Sequence, residues 1–210
     1  MLELAKSLQV KKFIYASSSS VYGGNKEMPF SVKQRVDNPI SLYAATKKST
    51  ELIAECYSHL FKIQCIGLRF FTVYGPWGRP DMATFIFTKN IIENKTIEIF
   101  NYGKMKRDFT YIDDIVQGIL GALKSKIKVN HKIYNLGNSH PEVLLEFIKL
   151  IEKNLKLKAK KNLLPIQPGD VSETFADISE SKKDLNFSPT TRVSEGIPRF
   201  INWYKAYYKL

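Results

Sequence analysis

The sequence predicts an α/β fold built on a parallel sheet, and three observations carry that prediction. Lys12 to Ser17 (KFIYAS), Gln64 to Phe71 (QCIGLRFF) and Ile133 to Gly137 (IYNLG) are short apolar runs without polar alternation, as in strands buried on both faces. After Pro39, the stretch SLYAATKKSTELIAECYSHLF repeats its apolar positions at helical spacing, with no Gly or Pro through Phe61. The order is strand, long helix, strand, inserted elements, then strand and helices, which matches the second half of an open α/β sheet.

The first strand ends in small polar residues, as a buried parallel strand does at its C-terminal edge. The second is stopped by Tyr74-Gly75-Pro76-Trp77-Gly78. Phe85 to Asn94 reads as a helix, and Ile97 to Phe100 and Phe109 to Ile112 as short strands around a turn at Gly103. Asp113 or Asp114 is expected to cap a helix over Ile115 to Lys124, because a carboxylate accepts from the free N–H groups of the first turn. Helices are expected over Val143 to Lys153 and Gly196 to Tyr208, separated by an irregular loop, Pro165 to Asp170. The insert after Tyr74 and the C-terminal tail should form a small lobe over the strand ends. Residues 1–75 are therefore expected to be a partial sheet and 76–210 mainly the lobe, with a strand and helix returning to the sheet near 113–137. No internal repeat or low-complexity linker interrupts this order.

Composition narrows the function classes. No apolar run approaches the ~20 residues of a membrane-spanning helix, and the first residues lack the charge order of a signal peptide. A cytoplasmic location without membrane attachment is the expectation. The net charge is +12, yet only six of the 32 basic residues are Arg. The densest run, Lys153 to Lys161, reads as a solvated helix face and its exit, and no nucleic-acid-binding motif accompanies it, so specific nucleic-acid binding is not expected. Part of this field suits a polyanionic small molecule. Cys56 and Cys65 have no CxxC spacing and the three His residues no zinc pattern. Two buried free thiols and no metal are expected.

Chemistry concentrates in two places. Ser17 to Ser20 close the first strand, where ligands of open α/β sheets bind. Tyr43 and Lys47 stand one turn apart on the long helix, so phenol and ammonium share a face. A neighbouring ammonium favours the phenolate and makes Tyr43 a candidate base, with Ser18 placed to hold a substrate oxygen. Tyr-x-x-x-Lys alone is weak: it also occurs at Tyr22/Lys26 and Tyr102/Lys106. Glycines inside those two spans leave only Tyr43/Lys47 in a helical setting. Arg69, Arg79 and Arg107 offer guanidinium forks suited to phosphate. For Arg69, an ion pair beneath the strand end is an equal alternative.

The segments YASSSSVYG, NPISLYAATKKSTE, LRFFTVYGPWGRPDM, MKRDFTYIDDIV and QPGDVSETFADI, in this order and spacing, resemble the NAD-dependent epimerase/dehydratase family of extended short-chain dehydrogenase/reductases. Within it the resemblance is to UDP-glucuronate 4-epimerases, from about Val10 to the C-terminus. It implies the C-terminal strands of a Rossmann-type sheet with a substrate lobe, NAD as cofactor and a UDP-sugar as substrate. By resemblance, Ser18, Tyr43 and Lys47 are catalytic. Tyr43, Lys47 and Phe70 border the cofactor. Ser20, Thr72, Arg79, Arg107 and Gln167 contact the nucleotide sugar. The implied reaction is reversible oxidation at the sugar C4: Tyr43 takes the 4-OH proton as hydride leaves to NAD⁺, the 4-keto sugar rotates, and hydride returns to its other face.

Related 4,6-dehydratases carry an Asp-Glu pair where Ser19 and Ser20 stand, and decarboxylases a Glu at Ser20, which favours epimerisation of a UDP-uronic acid. One departure is large. The G-x-x-G-x-x-G turn that cradles the cofactor pyrophosphate has no counterpart, and about 100 residues, one mononucleotide-binding half, are not in the sequence. Three explanations stay open: a fragment of an intact epimerase, a split-enzyme subunit whose partner chain supplies the glycine-rich half, or a non-catalytic module that binds a nucleotide sugar. A decarboxylase or dehydratase relative is the remaining alternative. The resemblance also implies a homodimer, with the helix Leu42 to Phe61 contributing.

Overall fold

The computed structural model describes residues 1–167 and 170–210. A short helix α1 (Leu2–Ser7) leads into β1 (Lys12–Ser18), followed by a 3-10 turn at Ser19–Tyr22 and the long helix α2 (Leu42–Phe61). Next come β2 (Gln64–Phe70), β3 (Thr72–Tyr74), α3 (Ala83–Ile92), β4 (Thr96–Ile99), β5 (Lys106–Tyr111) and α4 (Ile112–Lys124). The chain finishes with β6 (His131–Leu136), β7 (Pro141–Val143), α5 (Leu144–Leu155), β8 (Lys160–Leu163), β9 (Glu173–Thr174), α6 (Ser179–Leu185) and α7 (Val193–Tyr208).

The three apolar runs make one parallel sheet in the order β1-β2-β6. Its register aligns Ser18 with Phe70 and Phe70 with Leu136, so the serine tract and Phe70 stand side by side at the C-terminal edge. The remaining strands form two smaller groups. β5 pairs with β3 and β9 in parallel and with β7 antiparallel, while β4 pairs with β8. One core lies beneath the serine turn, around Tyr22, Phe30, Leu68 and Tyr134. Another fills the lobe, where Phe109 stacks on Phe147 at 3.8 Å and α7 contributes Ile197, Phe200 and Tyr204. These aromatic rings remove large apolar areas from water, which is the main force holding the lobe together.

Several expectations need correction. α4 begins at Ile112 with Tyr111 at its N-cap and no side-chain cap. Asp114 is buried and accepts from the backbone N–H groups of Thr190 and Thr191, both at 3.1 Å, so it ties the approach to α7 instead of capping its own helix. Asp113 and Asp114 still lie in the first turn, where negative charge suits the helix dipole. Of the two thiols only Cys65 is buried; Cys56 is exposed on the outer face of α2. Burial pushes the Cys65 thiol up to about 11. The Lys153 to Lys161 run does not leave its helix into solvent alone: Lys160 and Lys161 begin β8. Within the expected loop 165–170, Pro168 and Gly169 lie outside the described residues. Among the described residues, no helix is long and apolar enough to cross a membrane.

Candidate active site

Two elements converge at the end of β1. The Ser41 hydroxyl accepts from the Ala44 N–H at 3.1 Å and so caps α2, fixing the first turn that carries Tyr43. Tyr43 is 52% exposed. One turn on, the Lys47 ammonium lies 5.7 Å from the Tyr43 ring centroid and donates to the Ala16 carbonyl at 3.0 Å. Helix face and strand end are thus tied together by Lys47. At the strand end Ser18 is buried, accepts from the Ser20 N–H at 3.2 Å and donates to the Ser20 hydroxyl at 3.1 Å.

A buried ion pair supports this corner from below. Arg69 on β2 grips Glu51 on α2 with two hydrogen bonds of 2.8 Å, and Ser17 donates to Glu51 at 2.6 Å. The Arg69 guanidinium also covers the Tyr22 ring at 4.9 Å. Of the two readings for Arg69 the structure shows the ion pair. Burial raises the Glu51 carboxyl, but the Arg69 bonds and charge outweigh it and hold it below the usual range.

From the serine turn a groove runs toward the lobe. Its inner part, about 210 Å³, is lined by Ser19, Ser20, Ser41, Thr72, Arg107 and Asp170 among others. Its outer part, about 580 Å³, shares Thr72, Arg107 and Asp170 and adds apolar walls from Phe87, Phe100 and Phe109, with Asn90 and Glu98 among the polar groups. Arg107 stands where the two meet and donates to Asp170 at 2.7 Å. Burial lowers the Arg107 guanidinium, opposed by the charge of Asp170. Desolvation of this kind strengthens the pull of a guanidinium on an anion.

Ser20, Thr72 and Arg107 are thus brought together around one groove. Ser18, Tyr43 and Lys47 do not line it, but Ser18 is bonded to Ser20 and Tyr43 follows Ser41, both of which do. Phe70 lies beside Ser18 in the sheet. Arg79 is exposed and closes its fork on Asp81 with bonds of 3.0 and 2.5 Å, and Asp81 lines the outer cavity. Gln167 is exposed and is not among the described residues lining either cavity.

Two structural partners escape sequence reasoning. Glu51 is one of many helical acids, and nothing in its spacing marks it. Asp108 is fully buried and accepts from the N–H groups of Asn138, Ser139 and Ala176 at 2.5, 3.0 and 3.0 Å, and from the Thr110 hydroxyl at 3.2 Å. It stitches three segments behind Arg107, and burial raises its carboxyl despite these bonds. Its only sequence signal is its place after Arg107.

The residues present suit one end of a nicotinamide dinucleotide. A half-exposed phenol and an ammonium share a helix face beside the exposed Ala16 at the strand end, a donor set that fits a ribose and a carboxamide ring. No glycine-rich turn opens a helix among the described residues to receive the pyrophosphate. They also contain no cluster of His, Cys, Asp or Glu able to hold a metal ion.

Comparison with known proteins bears on the family and the fold. The model of the NAD dependent epimerase/dehydratase family covers residues 1–137. An uncharacterised protein of Methanocaldococcus jannaschii is 57% identical over 97% of the chain and 62% of its own length. UDP-glucuronate 4-epimerase 4 of Arabidopsis thaliana is 47% identical over 99% of the chain and 51% of its length. UDP-glucuronic acid 4-epimerase from Bacillus cereus, solved with UDP-glucuronic acid and NAD, superposes with a TM-score of 0.91 at 38% identity, over 99% of this chain and 65% of that one. The chain therefore spans about half to two-thirds of the length of these relatives. On the family match and these identities, the chain belongs to the NAD-dependent epimerase/dehydratase family.

Proposed function

We propose that this chain carries the catalytic and substrate-binding residues of a UDP-uronic acid 4-epimerase, interconverting UDP-glucuronate and UDP-galacturonate with NAD as cofactor. The observation that carries the reading is the groove that runs from Ser20, hydrogen-bonded to Ser18, and from Ser41, the cap of the helix that carries Tyr43 and Lys47, past Arg107 to an apolar-walled cavity of about 580 Å³. Its order of chemistry fits a nucleotide sugar: hydroxyl groups and a phenol for the sugar, a desolvated guanidinium for the diphosphate, aromatic walls for the base.

Tyr43 takes the sugar 4-OH proton and returns it, while Ser18 holds the same oxygen by hydrogen bond. Lys47 would hold the cofactor ribose, with Phe70 beside it at the strand end. The cofactor supplies hydride acceptance and return. Ser20 and Thr72 bond the sugar, Arg107 the diphosphate, and Arg79 and Gln167 the outer part of the substrate. Neither Ser19 nor Ser20 can act as acid or base for elimination, which supports epimerisation over dehydration. In this reading residues 1–75 supply the catalytic sheet edge and 76–210 most of the substrate lobe.

A second reading is favoured by one observation: among the described residues β1 pairs only with β2, so its other edge is free to take a strand from a partner chain. The chain would then be the substrate half of a split enzyme. Calorimetry with UDP-glucuronate and with NAD⁺, followed by a 4-epimerisation assay, separates the two. Turnover that Tyr43→Phe lowers by about 10²–10⁴-fold with substrate binding kept supports the first. Substrate binding without cofactor binding supports the second. Turnover that survives Tyr43→Phe removes Tyr43 as the base.

A further inference from the structure

We infer that Trp77 is a positioning residue that fastens the loop between β3 and α3 to the last helix, α7, and thereby sets Arg79 and Asp81 against the nucleotide-sugar groove. The inference rests on the proposed substrate and adds to it the part that fixes the outer wall of the site.

The loop opens with Gly75-Pro76-Trp77-Gly78, and the Gly78 N–H donates to the Gly75 carbonyl at 3.2 Å. Proline in the second place and a positive φ in the third make this a type II turn, whose third place ordinarily falls to Gly or Asn. Here it is held by Trp77 at φ +62°. Bulky side chains adopt that conformation rarely and keep it only where their surroundings hold them. Trp77 is 75% exposed, so burial explains little of it. What it does touch is α7. Its ring lies 5.5 Å from Trp203 and 5.4 Å from Tyr207, the latter edge-on at 79°, while Trp203 and Tyr207 are themselves stacked at 5.3 Å.

The same helix grips both ends of the loop. Before the turn, Tyr74 packs so closely on Gly196 that a Cβ there would meet its hydroxyl at 2.1 Å. Beyond the turn, Phe85 in the first turn of α3 meets Tyr204 at 5.1 Å. Between these anchors Trp77 is the middle fastening, and two residues on stands Arg79 with its fork closed on Asp81, which lines the outer cavity. A glycine would make the turn with less strain, so the turn by itself gives no use for an indole. The tilted and edge-on contacts with Trp203 and Tyr207 on α7 do.

The discriminating variant is therefore Trp77→Gly, which suits the turn and removes the indole. Because glycine also loosens the backbone, Trp203→Ala, which leaves the loop sequence intact, separates the two causes. Hydrogen exchange of the amides of Gly78, Arg79, Asp81 and Met82 and the affinity for UDP-glucuronate would be measured on the 210-residue chain and on Trp77→Gly, Trp77→Phe and Trp203→Ala. Faster exchange in Trp77→Gly and Trp203→Ala, recovery in Trp77→Phe, and a loss of affinity of about three- to tenfold in the first two, with the melting temperature little changed, is the expected result. Exchange unchanged in Trp77→Gly and Trp203→Ala overturns the inference, as does faster exchange with unaltered affinity. If the unmodified chain binds no UDP-glucuronate, the proposed substrate fails, while the exchange measurement still decides whether Trp77 clamps the loop.

Discussion

Arg69 and Glu51 are a buried charged pair that joins β2 to α2 beneath the serine turn. Both are buried to 2% exposure and joined by two hydrogen bonds. Removing one charge leaves the other unpaired in a low-dielectric setting, which costs about 3–5 kcal/mol. Glu51→Gln should lower the unfolding free energy by that order, measured by urea denaturation. The sign of its pH dependence follows from the depressed Glu51 carboxyl. Its contribution is complete above the ordinary value of 4.5 and is lost as pH falls through the lower folded value. Below pH 4.5 the stability of Glu51→Gln should therefore fall less steeply than that of the unmodified protein. Arg107 is the opposite case, a guanidinium at the groove with one carboxylate partner. Arg107→Lys keeps the charge but loses the planar fork, and UDP affinity by calorimetry should drop by roughly tenfold or more. In the sequence Arg107 reads as a phosphate contact, while Arg69 stays open between that role and an ion pair. Only the packing of α2 on β2 assigns one to structure and leaves the other at the groove.

Elements divide in the same way. Strands β1, β2 and β6 and helices α2, α5 and α7 were legible within a few residues because each carries a continuous or periodic apolar pattern. Strand β8, Lys160–Leu163, is exposed along its length and has no such pattern; it exists because β4 offers it a free edge. The two-residue β9 and three-residue β7 are likewise created by β5, which pairs with both. Gly196 gives a test at this scale. In an isolated helix, alanine would be the better residue by roughly 1 kcal/mol. Here its methyl group would collide with the buried Tyr74 hydroxyl, so Gly196→Ala should destabilise the protein by about 1–3 kcal/mol, read from the melting temperature.

At the scale of the whole molecule, α2 presents an apolar stripe to solvent. Leu52, Ile53 and Leu60 are exposed on it, with Cys56 between them. Exposed apolar residues one turn apart on a helix suit an association surface, and by the family resemblance a second copy of the chain is the expected occupant. The protein should sediment above its monomer mass, and Ile53→Lys together with Leu52→Lys should return it to monomer. A monomer in the unmodified protein would remove α2 as a self-association surface.

The sequence by itself determined the parallel sheet, the serine tract at the end of its first strand and the Tyr43/Lys47 pair on one helix face, because periodicity and one-turn spacing are local properties of the chain. It also carried the family resemblance, which needs only the order of short motifs. The tertiary structure alone decided that Arg69 belongs to Glu51, that Asp114 ties the approach to α7 and that Asp108 ties β5 to the segments at Asn138–Ser139 and Ala176. It alone showed that a tryptophan occupies a glycine's place in the turn. Each of these depends on which distant segment supplies the partner for a buried charge, an amide or a ring, and no local pattern encodes that partner.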